Sequence, residues 1–412
     1  MDNVLVQKYG GTSVGSTKKI KRIAQNIVRN KKNGLKVVVV VSAMGNTTNE
    51  LISKALEVNK QPPSRELDML LATGEQVSIS LLAMAIKSLG HDVISLTGGQ
   101  CGILTDGNHK KAKITEIKTD RLLSELEQDK IIIVAGFQGI DNCNDITTLG
   151  RGGSDTTAVA LAAALKADMC EIYTDVDGVY TTDPRIVQNA SLIDKISYDE
   201  MLELASLGSS VLHPRSVELA RKFKVPLVVK SSFTMNKGTI VTEVDTMEKV
   251  VVRGLALDQE IAKISILEVP DKPGIAYKLF AELAKNNIGV DIIIQNINRN
   301  SVNDISFTVK IDDLDEAVEI SEKIVSEIGA KKVIYDKAVS KLSVVGAGIS
   351  GSAEVASIFF KSLYELGINI QTISSSQIKI SCIIETDKAL KALTYLHDKF
   401  HLSGLNGEDA VI

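Results

Sequence analysis

Short runs of β-branched residues alternate with helix-period segments along residues 1–245. Val4 to Gln7 leads into a glycine turn, Ile20, Ile23 and Ile27 then recur at helical spacing, and Asn33-Gly34 closes that helix. Lys36 to Val41, Ile131 to Ala135, Cys170 to Thr174 and Leu227 to Val229 repeat the apolar strand theme, and an alanine-rich helix is expected over Ala158 to Lys166. Continuous Val and Ile runs with helices between them predict a buried, mostly parallel sheet covered by helices on both faces. The fold class of this part is α/β, layered around that sheet.

After Gly238-Thr239-Ile240 the rhythm changes. Lys263-Ile264-Ser265-Ile266 recurs about 78 residues later as Lys341-Leu342-Ser343-Val344. Each is followed by a glycine-bearing loop (Asp271-Lys272-Pro273-Gly274, then Gly346-Ala347-Gly348-Ile349) and by an amphipathic helix. Strands are expected at Ile288 to Ile292 and at Ile368 to Thr372, and second helices at Leu314 to Ile328 and Lys388 to Phe400. The pattern predicts two copies of an α+β, ferredoxin-like βαββαβ sandwich. The expected division is 1–245, 246–335 and 336–412.

Composition narrows the function classes. At roughly 150 residues per domain, 412 residues predict two to three domains. Lys+Arg 47 against Asp+Glu 51 leaves a net charge of -4, so no global positive field exists to hold nucleic acid or an anionic membrane surface. The contiguous apolar stretches, such as Val37 to Val41 and Ala158 to Leu165, fall short of a roughly 20-residue span. Met1-Asp2-Asn3-Val4 enters a strand with no basic or apolar leader, and the expected location is the cytoplasm. Cys101, Cys143, Cys170 and Cys382 form no C-x-x-C pair and read as buried thiols.

Two stretches carry candidate chemistry. Lys8-Tyr9-Gly10-Gly11-Thr12-Ser13 ends the first strand, where open α/β sheets bind ligands, and its glycines let backbone N–H groups approach an oxyanion beside the Lys8 charge. A P-loop it is not, since G-x-x-x-x-G-K-[ST] is absent, and a tight strand-to-helix turn also explains the hexapeptide. Gly150-Arg151-Gly152-Gly153-Ser154-Asp155-Thr156-Thr157 pairs an Arg with flexible glycines at a helix start. Capping accounts for one polar residue there but not for four, whereas an anion site at a helix N-terminus uses the Arg and the free amides together. Glu75 before an apolar helix needs only the helix dipole to explain it. Asp177-Gly178 is turn chemistry, which leaves Tyr180 and Arg185 beside it unexplained. Gly346-Ala347-Gly348-Ile349-Ser350-Gly351 matches G-x-G-x-x-G, yet Asn369 and Gln371 stand where a dinucleotide site needs an acid. His213 before Pro214 reads as structural.

In order and spacing, Lys8 to Ser13, Gly150 to Asp155 and Thr174-Asp175-Val176-Asp177-Gly178-Val179-Tyr180-Thr181-Thr182-Asp183-Pro184-Arg185 resemble aspartokinase. The resemblance spans nearly the whole chain, because the repeated modules resemble the ACT pair this family appends to an amino acid kinase domain. It implies a monofunctional enzyme that moves the ATP γ-phosphoryl group to the side chain of L-aspartate with Mg²⁺, opening lysine, threonine and methionine synthesis. It implies Lys8, Tyr9, Gly10 and Gly11 at the phosphates and Thr174, Asp175, Tyr180 and Arg185 along the nucleotide. Ser42, Thr47, Glu75, Arg151, Gly152, Gly153 and Ser154 fall to the aspartate side, and Asp155 either to the substrate amine or to Mg²⁺. No protein metal ligand set is assigned. Many members carry a lysine where this chain has Ser210. Feedback by lysine or threonine would act at Asp271, Gly274, Gln295, Asn369 and Ile370, residues 250–257 would pair with the second ACT copy, and the ACT edges would make a homodimer or homotetramer. Two other readings are a kinase for another acceptor, which would generally lack the ACT pair, and a non-catalytic amino acid sensor, which intact Lys8, Arg151 and Asp155 oppose.

Overall fold

β-branched side chains stiff at χ1 favour the pleated sheet over the helix, and the Val and Ile runs form strands accordingly. The structure, a computed structural model, describes residues 3–206, 211–234, 236–243, 251–297, 302–404 and 410–411. The chain divides into two compact units, one formed mainly by Met1–Thr181 and Ser191–Met247, the other mainly by Thr182–Ala190 and Glu248–Gly404.

In the first unit an eight-stranded sheet runs in the order Lys195–Ser197, Thr239–Thr242, Leu227–Ser231, Met169–Thr174, Val4–Tyr9, Lys36–Val41, Ile131–Ala135, Val93–Leu96. Every neighbouring pair is parallel except Leu227–Ser231 with Thr239–Thr242. Register aligns Lys8 with Val40 and Ile172, and Tyr9 with Val41 and Tyr173, so the loops leaving these strands gather at one edge. On one face, helices Thr17–Lys32 and Thr73–Ser88 bury Ile20, Ile23, Ile27, Ile79, Leu82 and Ile86 against Val37, Val39 and Val41. Helix Gly153–Leu165, on the other, is buried on nearly every side, as its lack of a polar stripe requires.

Several expectations need correction. The alanine-rich helix begins at Gly153 rather than Ala158, because Gly152 is its left-handed N-cap and the Thr156 and Thr157 hydroxyls satisfy themselves on the Gly152 and Gly153 carbonyls. Helical residues Ser64–Ser88 do meet the length and mean apolarity of a membrane span, although no contiguous apolar run announces it. Asp68 and Glu75 are buried within that run, along with Leu67, Leu71 and Leu82, while Met69, Val77 and Met84 are exposed. Cys143 is exposed, whereas Cys101, Cys170 and Cys382 are buried. A second, four-stranded sheet, in the order Ile114–Ile117, Ile103–Thr105, Gln138–Ile140, Ile146–Thr148, delivers the chain to the Gly150 loop.

In the other unit Val290–Ile297, Val302–Lys310, Ile261–Pro270 and Lys332–Asp336 form one antiparallel sheet, in that order. Thr372–Ser376, Lys379–Glu385, Val339–Ala347, Val251–Asp258 and Ala410–Val411 form the other. Strand Val251–Asp258 thus pairs with Val339–Ala347, the second copy of the repeat, although it precedes the first in the chain. The second-copy strand expected at Ile368 to Thr372 runs instead over Thr372–Ser376, after an irregular approach. Helices Ile275–Lys285 and Leu314–Ile328 cover the first sheet with Leu279, Leu283, Ile320 and Ile324.

Candidate active site

Strand alternation sends Lys8 and Tyr9 to opposite faces of the sheet. Lys8 turns toward helix Gly153–Leu165, where its Nζ lies 2.6 Å from Asp155 Oδ1, both side chains 12% exposed. Tyr9 turns away under helix Thr17–Lys32, stacked on Tyr173 with ring centroids 4.5 Å apart and accepting a hydrogen bond from Asn26. Burial pushes the Tyr9 hydroxyl well above its ordinary pKa. The side chain of Tyr9 is therefore core, and what reaches the site edge is its carbonyl, which accepts from Ser42 N–H at 3.1 Å. Gly11 packs so closely that a Cβ would lie 2.8 Å from the Ala43 carbonyl.

A cavity of about 1330 Å³ opens at the C-terminal ends of Val4–Tyr9 and Lys36–Val41. Its wall includes Lys8, Gly11, Ser42, Glu75, Arg151, Gly152, Gly153, Ser154 and Asp155. Thr47 is not among the lining residues, for its hydroxyl is committed to the Met44 carbonyl at 2.7 Å, while Thr48 and Asn49 of the same helix take that place. Lys60, Lys110, Lys111, Phe137, His213 and Arg215 also line the cavity, and sequence reasoning did not identify them as site residues. A signal existed for Arg215 alone: His213-Pro214 marks a helix start, and a helix start brings its first residues to a surface. Phe137 holds φ +70, a left-handed conformation uncommon for an aromatic, with its N–H on Thr157 Oγ1 and its carbonyl accepting from Leu149.

Glu75 is the most perturbed acid of the site. It is 3% exposed, its Oε1 accepts from Ala43 N–H at 3.1 Å and its Oε2 has no hydrogen-bond partner. Burial raises its pKa to about 7, against the opposing pull of backbone amides. Arg151, exposed at the rim, lies between Gly150 (φ +76) and Gly152 (φ +68). A Cβ on Gly152 would stand 2.1 Å from His213 Cγ, so both the conformation and the space require glycine. The amides of Ser154 and Asp155 open the helix and have no intrahelical partner. The cavity accordingly presents several cations, Lys8 and Arg151 among them, with orphan amides and one acid of near-neutral pKa, a set suited to two anionic groups and an ammonium.

Thr174 ends the strand beside that of Lys8 and Asp175 follows it, with Thr174 Oγ1 3.1 Å from Asp175 Oδ1, and neither lines this cavity. Tyr180 follows in a bridge to Leu192, its hydroxyl pKa raised by burial. Arg185 belongs to the other compact unit and clasps Asp183 at 2.7 Å. Ser210 lies outside the described residues. Among the described residues no group of three or more His, Cys, Asp or Glu side chains could hold a metal ion.

The five expected effector residues separate. Asp271, Gly274 and Gln295 line a cavity of about 290 Å³, where Asp271 accepts from Asn303 at 3.1 Å and Gly274, at φ +92, caps helix Ile275–Lys285. Ile370 lines another of about 310 Å³ with Lys263, Asn296, Ser306 and Gln371. Asn369 is exposed and lines neither.

Compared with known proteins, residues 3–231 match the amino acid kinase family and residues 267–323 and 342–400 the ACT domain. The chain is 49% identical over 401 residues to aspartokinase 2 of Bacillus subtilis, covering 97% of this chain and 98% of that one. Escherichia coli aspartokinase III solved with aspartate and ADP, in the R-state, matches at TM-score 0.80 and 25% identity, over 96% of this chain and 99% of that one. The same enzyme with lysine and aspartate, in the T-state, matches at TM-score 0.73 with the same identity and coverage.

Proposed function

The chain belongs to the aspartokinases, kinases built of an amino acid kinase domain and ACT domains, and on that premise we propose that it transfers the γ-phosphoryl group of ATP to the side-chain carboxylate of L-aspartate, giving 4-phospho-L-aspartate and ADP. The observation that carries this reading is the meeting of Lys8, Asp155, the Arg151 loop and Glu75 at one cavity. The aspartate and ADP of the E. coli aspartokinase III structure support the same pair of ligands.

The nucleophile is a carboxylate, ionised at neutral pH, so no general base is needed and no histidine has to act as one. A carboxylate oxygen attacks the γ-phosphorus, a P–O bond forms, the bond to the β,γ-bridging oxygen breaks, and its electron pair leaves on ADP. The obstacle is repulsion between two anions, together with charge spreading over the phosphoryl oxygens. Lys8 meets both from the sheet, and the orphan amides of Ser154 and Asp155 add fixed partial charge. Arg151 takes the α-carboxylate in its fork, and Glu75 the α-ammonium, which recovers the ionisation that burial suppresses. Mg²⁺ borne by a nucleotide needs only one or two protein carboxylates; Asp155 beside Lys8 and exposed Asp175 would hold it, and the ion would neutralise phosphate charge.

Residues 1–245 form the catalytic part in this reading, and the ACT regions 246–335 and 336–412 bind an end-product amino acid, lysine or threonine. Lysine in the T-state E. coli enzyme supports that role, and two cavities of amino acid size are present to take it. Exposed Ile293, Ile334, Tyr335 and Ile373 on edge strands of the two ACT sheets favour a homodimer or homotetramer through those edges. The enzyme would be cytoplasmic and stand at the entry to lysine, threonine and methionine synthesis. The test is ADP release from Mg-ATP with aspartate, against glutamate and buffer controls, with and without lysine and threonine. Aspartate-dependent release that one effector suppresses is the expected result, and release indifferent to aspartate would overturn the reading.

A further inference from the structure

The loop that carries Arg151 has two left-handed glycines and a backbone that must be held from outside. It is gripped on two sides. On one, the buried carboxylate of Asp68 accepts from Thr148 N–H at 3.0 Å, the Thr148 hydroxyl at 2.6 Å and Lys110 N–H at 3.0 Å, with His109 Nδ1 at 2.9 Å. On the other, the Arg215 guanidinium donates to the Leu149 carbonyl at 2.9 Å and the Ala112 carbonyl at 2.8 Å.

The start of helix Pro214–Phe223 puts Arg215 there. His213 is the N-cap and its Nδ1 accepts from Arg215 N–H at 3.3 Å, Pro214 suits the first helical turn, and the His213 ring closes over Gly152. One short segment thus seats the loop at Leu149 and at Gly152, with Arg151 between. Arg151 itself has no ion-pair or hydrogen-bond partner among the described residues, so the backbone that carries it is what sets the point from which its side chain reaches out.

We propose that Arg215 is a positioning residue for the phosphoryl acceptor: by tying the Leu149 and Ala112 carbonyls it aims Arg151 at the acceptor's α-carboxylate. The proposal rests on the reading of Arg151 as the acceptor's carboxylate ligand. A fork of five donors spans two carbonyls that a single ammonium does not, so lysine should replace arginine only in part.

The test is a double-mutant cycle on the full chain, reading KM for aspartate, KM for ATP and kcat in the wild type, Arg215→Ala, Arg215→Lys, Arg151→Ala and the Arg151→Ala/Arg215→Ala pair. Arg215→Ala should raise the aspartate KM between about tenfold and hundredfold, the scale of a misplaced binding group, with the ATP KM within about twofold. Arg215→Lys should fall between. In the Arg151→Ala background the second substitution should change the aspartate KM by no more than about twofold, because its effect runs through a side chain already gone. A wild-type aspartate KM in Arg215→Ala, or multiplicative effects in the pair, would overturn the positioning role. A wild-type aspartate KM in Arg151→Ala overturns the ligand reading beneath it instead. If circular dichroism shows that Arg215→Ala does not fold, Arg215→Lys carries the same cycle.

Discussion

Removing the charge of Glu75 should make the protein's stability rise with pH relative to wild type and make the enzyme worse, and the pH dependence should show why. Glu75 is 3% exposed with one oxygen unpartnered, and burial lifts its pKa from 4.5 to about 7. At about 1.4 kcal/mol per pH unit, holding the ionised form inside the folded protein costs about 3 kcal/mol. The folded pKa lies above the unfolded one, so the contribution is fully present below pH 4.5 and is lost as pH rises through about 7. Glu75→Gln keeps the oxygen that accepts from Ala43 N–H and has no charge to bury. Relative to wild type, the variant should gain stability as pH goes from 4.5 to 8, approaching about 3 kcal/mol. The unpaired amide that replaces Oε2 offsets the gain by a constant of about 1–3 kcal/mol. The assay is urea unfolding followed by circular dichroism at pH steps from 4.5 to 8.5 in the absence of ligand. A stability difference that stays flat across that range would refute the buried-charge account. In turnover assays the same variant should bind aspartate more weakly at pH 8.

Lys8→Ala should lower kcat about a hundredfold or more while changing the aspartate KM modestly, since its charge is needed where phosphoryl charge develops; wild-type turnover would remove it from that role. Gly152→Ala adds a Cβ 2.1 Å from His213 Cγ at φ +68 and should abolish aspartate-dependent activity, with thermal unfolding reporting how much of the loss is stability. Asp271→Ala should weaken effector inhibition and leave uninhibited turnover intact, which an inhibition titration reads directly. For Arg215→Ala, the rise in aspartate KM without a matching rise for ATP is the steady-state signature of a misaimed Arg151.

Much of the architecture could be read along the chain because its signals are local. The Val37 to Val41 run, the Asn33-Gly34 stop of the first long helix, and the recurrence of Lys263 to Ile266 at Lys341 to Val344 each lie within one or two elements. Lys8 and Arg151 to Asp155 stood out as motifs, Ser42 and Glu75 came only through the family resemblance, and all of them line one cavity. Arg215 and Asp68 were not reached, because what distinguishes them is a partner far away: Arg215 meets Leu149 and Ala112, and Asp68 meets Thr148.

Residue order alone establishes periodicity, turn chemistry and the repeat, since these depend on neighbours a few positions apart. It told strand from helix and set the glycines beside Arg151, but it did not say which side of a strand would face ligand. That depended on packing: helix Gly153–Leu165 covers the Lys8 face and helix Thr17–Lys32 the Tyr9 face, which makes one residue a cation at the site and its neighbour core. Packing likewise enclosed Glu75, turning an ordinary first-turn acid into one of near-neutral pKa. The pairing of Val251–Asp258 with the second copy of the repeat, by contrast, was expected from the family resemblance and is found. The reason is common to the first two. Burial and pairing are properties of segments brought together over long separations, and a side chain's solvent, charge and partner exist only once those segments have met.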